Sequence, residues 1–168
     1  MIKKFKTLFF VKSSLVSLYL AFTLPIPFIA IEDLKSISII LFVIGLVLII
    51  NITSDYVEIS NDRISYVTTF VSNLFGKKSW EVLFKDIKLI NSSPTSQGSK
   101  VYYFTTYEEK KYLVPQRIEN LEEFLSLIFE RTGLDTEGMN YISPIWTYKL
   151  LTFLSLFMII GELISFSA

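Results

Sequence analysis

The sequence predicts a membrane α+β protein, with an N-terminal transmembrane helical hairpin, a small β-barrel or sandwich capped by one C-terminal helix, and then a third transmembrane helix. Three observations lead there. Hydrophobic residues make up 51% of the 168-residue chain and charged residues 19%, mean hydropathy is +0.49, and the apolar residues are gathered into three long blocks. Between the second and third blocks the pattern changes to period two, the mark of strands. That middle stretch ends in one segment with helical period and a single apolar face.

The chain begins with "MIKKFKTLFFVK", which carries Lys3, Lys4, Lys6 and Lys12, and continues without a charge over residues 13–31. No small-x-small cleavage site follows this apolar core, because Phe28 stands two before Ala30, so a membrane span is expected in place of a signal peptide. Pro25 and Pro27 should kink it or end it early, since neither donates a backbone hydrogen bond. A polar link at 32–35 then leads into residues 36–52, whose seventeen residues reach about 25 Å as a helix, enough for a bilayer core. The third block, 145–166, follows Pro144 and opens with Trp146 and Tyr148, aromatics suited to a membrane boundary. Lys149 lies where it can snorkel.

Basic residues orient the spans. Four lysines precede the first, whereas the hairpin link holds Lys35 beside two acids, so the N-terminus and the middle region are expected in the cytoplasm and the C-terminus outside a cell inner membrane. The expected organisation is 1–52 for the basic segment and hairpin, 53–140 for the cytosolic domain, and 141–168 for the third span and tail.

Within the middle region, "YVEIS" and "RISYVTTFV" alternate around the turn signal Asn61-Asp62 and predict a hairpin. "SWEVLFKDIKLIN", 79–91, supplies one or two further strands around Asp86, and 92–99 is a polar connection. "KVYYFTTY" and "KKYLVP" form another hairpin across "EEK". The helix in "NLEEFLSLIFERTG" is expected to have Asn120 as its cap, Glu123 at the capping-box position, Gly133 as its stop, and Leu121, Phe124, Leu125, Ile128 and Phe129 as its apolar face.

The succession "YVEISNDRISY", "SWEVLFKDIKLIN" and "VYYFTTYEEKKYLVPQRIENLEEFLSLI" resembles the bacterial pleckstrin-homology-like (PH) domains, found as the cytosolic part of small membrane proteins with an N-terminal helical hairpin. The likeness covers residues 55–132 and rests on strand order followed by a helix; the third span departs from the usual plan. It implies a binding module. The photosystem I assembly factor of cyanobacteria and plastids has a similar hairpin-first layout, though no motif here selects it.

The sequence holds no histidine and no cysteine, which removes disulfides, thiol nucleophiles, the usual zinc sites and histidine acid–base catalysis. No serine sits in G-x-S-x-G or S-x-x-K. No catalytic residue, metal ligand or cofactor site is therefore expected. Residues 53–144 carry ten Lys and Arg against thirteen Asp and Glu, a formal charge of −3, which disfavours nucleic acid and lipid phosphate as main ligands. The carboxylates Glu119, Glu122 and Glu123 are explained by the helix start they occupy.

Two places stand out. In "NLFGKK", Leu74 and Phe75 adjoin Lys77 and Lys78: either the tip meets membrane or partner, or it is a solvated loop with Phe75 tucked beneath its own barrel, the reading that common loop behaviour favours. Glu162, near the outer end of the third span, either snorkels to the interface or pairs with Lys35, with Gly161 allowing close helix approach. The functional expectation is a non-enzymatic membrane protein whose PH-like domain mediates protein interaction, assembly or scaffolding, its partners being the lipid bilayer and a membrane or cytosolic protein. The rival readings are an accessory subunit of a transporter or channel, a photosystem-assembly-factor-like protein, and a membrane enzyme using unpaired carboxylates.

Overall fold

The computed structural model describes residues 2–96 and 98–167. Apolar helices lie near both ends of the chain, and the strands of two antiparallel sheets, all but the first, lie between them in sequence. The chain divides into two compact units: residues 1–8 with 54–143, and residues 9–53 with 144–168.

The first unit opens with β1 (Lys3–Lys6), within the basic segment for which no strand is expected from the sequence. Phe5 is buried, while Lys3 on the same face is exposed and pairs with Glu123, and Lys4 and Lys6 lie on the other face. β1 pairs antiparallel with β2 (Tyr56–Ile59), Phe5 opposite Val57, although about fifty residues separate them in sequence. β2 pairs with β3 (Arg63–Val67) across the Asn61-Asp62 turn, where Ser60 N–H donates to the Arg63 carbonyl at 3.0 Å. The strand expected to continue through residues 68–71 stops at Val67, because Thr69 caps a short helix by accepting from Ser72 N–H.

The four-stranded sheet ends with β4 (Trp80–Leu83), and a 3-10 turn at Phe84–Asp86 turns the chain into β5 (Ile87–Pro94). β5, β6 (Lys100–Thr106) and β7 (Lys111–Leu113) form the second sheet in that order. β5 runs three residues into the stretch expected to be a loop, pairing Ser92 with Tyr102 and Pro94 with Lys100.

The C-terminal helix of this unit spans Leu121–Thr132 and buries Leu121, Phe124, Leu125 and Ile128 against the sheets. Phe5 meets Phe124 edge to face at 5.5 Å, so β1 and this helix share one core with Val57, Ile64, Val82 and Phe104. Phe129 is exposed, because the apolar stripe is narrower than its spacing suggests. Asn120 stands at the N-cap position in a left-handed conformation and makes no side-chain cap bond, and Glu123 pairs with Lys3 instead of closing a capping box. Gly133 stops the helix as expected, at φ 69, with its N–H donating to the Phe129 carbonyl at 2.8 Å.

The second unit holds three helical segments long and apolar enough to cross a membrane: 9–29, Glu32–Ile52 and Ile145–Ser167. The first is divided, as its prolines require: one helix covers Phe9–Thr23, and a second restarts at Pro25–Ile29 with Pro25 in its first turn, where a missing N–H costs nothing. The polar link at 32–35 is itself the first turn of the next helix, Glu32 and Asp33 complementing its positive end. Helix 145–167 packs along helix 9–23 on a seam that includes Ser13 and Thr152, whose hydroxyls lie 3.3 Å apart, and the fully buried Ser155. Gly161 has no neighbour within 4 Å of where a Cβ would sit, so the close approach expected there is absent. It occurs at Gly45, against Tyr19, whose hydroxyl donates to the Phe42 carbonyl at 2.7 Å.

Candidate functional site

The connection between β3 and β4, residues 68–79, is built around a carboxylate that sequence reasoning passed over. Asp55 is 3% exposed. Its Oδ1 accepts from Thr69 N–H at 3.0 Å, and its Oδ2 accepts from Lys77 Nζ at 2.9 Å and from Tyr66 Oη at 3.1 Å. The Thr7 hydroxyl donates to the Asp55 carbonyl at 2.8 Å, which ties the residue after β1 into the same corner. Burial pushes the Asp55 carboxyl up, but the bonds from Thr69 and Lys77 outweigh it and hold the group below its ordinary value. Burial, and then the neighbouring carboxylate, push the Tyr66 hydroxyl up. Asp55 is therefore an ionised acceptor with both oxygens occupied, suited to positioning a loop and not to abstracting a proton.

Around this anchor the connection forms a short helix, Phe70–Leu74, with Ser72 fully buried, and then turns at Gly76, whose φ of 84 suits glycine. Gly76 N–H donates to the Asn73 carbonyl and Lys77 N–H to the Ser72 carbonyl. Thr68 and Ser79 bond across the base of the loop at 2.8 Å. The outcome for the four residues singled out from the sequence is split. Leu74 and Phe75 are 70% and 69% exposed, so Phe75 is not tucked beneath its barrel; Phe70, 76% exposed, joins them. Lys77 is turned back onto Asp55, and Lys78 stays exposed. Phe70 escaped notice because period two assigned it to a strand.

The other singled-out pair is not brought together. Lys35 lies 3.6 Å from Glu32, one turn away on its own helix, while Glu162 Oε2 is buried without a hydrogen-bond partner. Lys149 sits 4.8 Å over the Phe10 ring, a cation–π contact in place of simple snorkelling.

A second feature is a cleft of about 390 Å³ between β4 and the β6–β7 turn, lined by residues that include Glu81, Asp86, Tyr107, Glu108, Lys110 and Tyr112. Three of its charges are already engaged, Glu81 with Arg63 at 2.7 Å and Glu108 with Lys110 at 2.8 Å. β4 and β7 are the outer strands of their sheets. Among the described residues no group of three carboxylates could hold a metal ion.

The fold and these sites define an α+β protein that has, among the described residues, three helical segments fit to span a membrane and a unit of two antiparallel sheets. No family model and no solved structure matches the chain. It is similar to an uncharacterised protein of the cyanobacterium Synechocystis, 29% identical over 147 residues, which cover 84% of this chain and 74% of that one.

Proposed function

We propose that the chain is a non-enzymatic integral membrane protein whose β-rich unit, PH-like in plan, serves protein interaction or assembly at the cytoplasmic face of a bacterial inner membrane. One observation carries this reading. β1 precedes the first apolar helix and pairs with β2, which follows the second, so the unit is closed around its own tethers and a third leaves it at residue 143. A domain held at three points acts where it is anchored. The PH-like plan is supported by four strands in one sheet, three in the other and, within the same unit, the helix Leu121–Thr132 after β7. The absence of histidine and cysteine from the sequence, and the occupied oxygens of Asp55, favour binding over catalysis. The outer strands β4 and β7 beside exposed Tyr107 offer unpaired backbone groups to a partner strand or loop.

Site-specific photocrosslinking in native membranes tests the proposal. Benzoylphenylalanine at Tyr107 is expected to yield a discrete protein adduct, whereas the same group at Glu130, on the exposed side of the last helix of the unit, should yield none. Absence of a protein adduct from Tyr107, or equal adducts from Tyr107 and Glu130, would contradict the interaction role.

A further inference from the structure

We propose that residues 68–79 are a membrane-surface anchor, in which Phe70, Leu74 and Phe75 enter the headgroup region of the bilayer and Lys78 meets anionic lipid. This goes beyond the partner-binding role and rests on reading the apolar helices as membrane spans.

The first argument is burial. The unit buries Phe104 and Phe124 completely, yet it leaves three large apolar side chains more than two-thirds exposed within six consecutive positions. The second is direction. Strand register places Lys6, Tyr56 and Val67 opposite one another, with Trp80 opposite Tyr66, so all four mark the same end of the sheet. From that end the chain runs through Thr7 and Leu8 into helix 9–23, and to that end it returns from helix 32–52. The connection 68–79 thus emerges where two strands lead to helices fit to span a membrane.

The third argument is preorganisation. Asp55, three residues beyond Ile52 and so within about 10 Å of chain from that helix, fixes the loop through Thr69 and Lys77. The Thr69 cap and the left-handed Gly76 complete its shape, so little ordering accompanies insertion. Aromatic and aliphatic side chains at a tip, with a cation beside them, match the chemistry of an anionic lipid surface, where apolar contact and headgroup attraction act together. A free protein partner would need no such placement at the tethered end of the sheet.

The test uses the full chain in vesicles of phosphatidylglycerol and phosphatidylcholine. Because the sequence lacks cysteine, Leu74→Cys and Tyr107→Cys can each carry a single nitrobenzoxadiazole probe. The expected result is blue-shifted emission from the Leu74 position, quenched by nitroxides placed on lipids near the headgroup, and aqueous, unquenched emission from Tyr107. Adding Phe70→Ser and Phe75→Ser should return the Leu74 probe to aqueous emission; both side chains are exposed, so the fold should be unaffected. Equal emission and quenching at the two positions would overturn the anchor. So would a shift that fades as protein is diluted in lipid, which would assign the patch to a second copy of the chain. Failure of the protein to float with the vesicles would overturn the membrane reading itself; flotation with an aqueous Leu74 probe would overturn the anchor alone.

Discussion

Asp55 follows the second apolar helix by three residues, and its carboxylate holds Thr69, Lys77 and Tyr66 together. Hydrogen bonds to a charged group contribute about 1.5–3 kcal/mol each, and Asp55→Asn weakens those from Lys77 and Thr69. Amide exchange of residues 69–77 should accelerate about tenfold or more in that variant at neutral pH, with β5 and β6 unaffected. The pH dependence has a definite sign. Folding lowers the Asp55 pKa from its ordinary 3.8, so its stabilising effect is complete above that value and is lost as pH falls through the folded-state value. The difference between wild type and Asp55→Asn should therefore narrow in acid, as exchange measured at pH about 3 and pH 7 would show. None of this was legible in the sequence: one aspartate between an apolar run and a strand looks like a boundary residue, and the partners of its carboxylate lie up to twenty-two positions away. Leu74, Phe75 and Lys78 could be picked out beforehand, because their contrast is local, but their exposure could not, because burial depends on what the rest of the chain covers.

β1 teaches the same lesson at the scale of an element. Four residues with three lysines carry too short an alternation to distinguish a strand from a basic leader, and the strand exists because β2, far along the chain, offers an edge. Phe5→Ala should cost about 3–5 kcal/mol, as for other large-to-small changes in a core, and should leave the edge of β2 poorly covered. Proteolysis within residues 54–66 would report that loss; unchanged resistance would mean that β1 is dispensable. Elements with a local cause could be read directly. The Asn61-Asp62 hairpin, the break at Pro25 and the stop at Gly133 each follow from turn or breaker chemistry within a few residues. The helix at 70–74 could not, since a capping threonine outweighed a β-like sequence. Between the first two apolar segments, a Cβ on Gly45 would lie 2.9 Å from the Tyr19 ring carbon Cζ. Gly45→Ala should lower the thermal stability of the protein in detergent micelles, and Tyr19→Ala should relieve most of that loss; additive losses would show that the seam does not depend on this contact.

For the whole molecule, the apolar blocks and the sheet region between them were legible because each is a long, composition-level signal, and the connectivity between them was not. Placing residues 1–8 in the same unit as 54–143 adds a constraint that hydropathy lacks. If segments 9–29 and 32–52 both cross a bilayer, they must return the chain to the side from which it left, because β1 and β2 are paired there. On the proposed reading, the lysines before the first apolar segment place that side in the cytoplasm, and helix 145–167 would then carry the C-terminal residues across. This arrangement is the central claim, since both the interaction role and the loop anchor depend on it. Cysteine accessibility in intact cells tests it most directly, with no background from the native chain. Ser93→Cys, exposed on β5, should react with an impermeant thiol reagent only after the membrane is permeabilised, while Ser167→Cys should react in intact cells. Labelling of Ser93→Cys without permeabilisation would contradict the account.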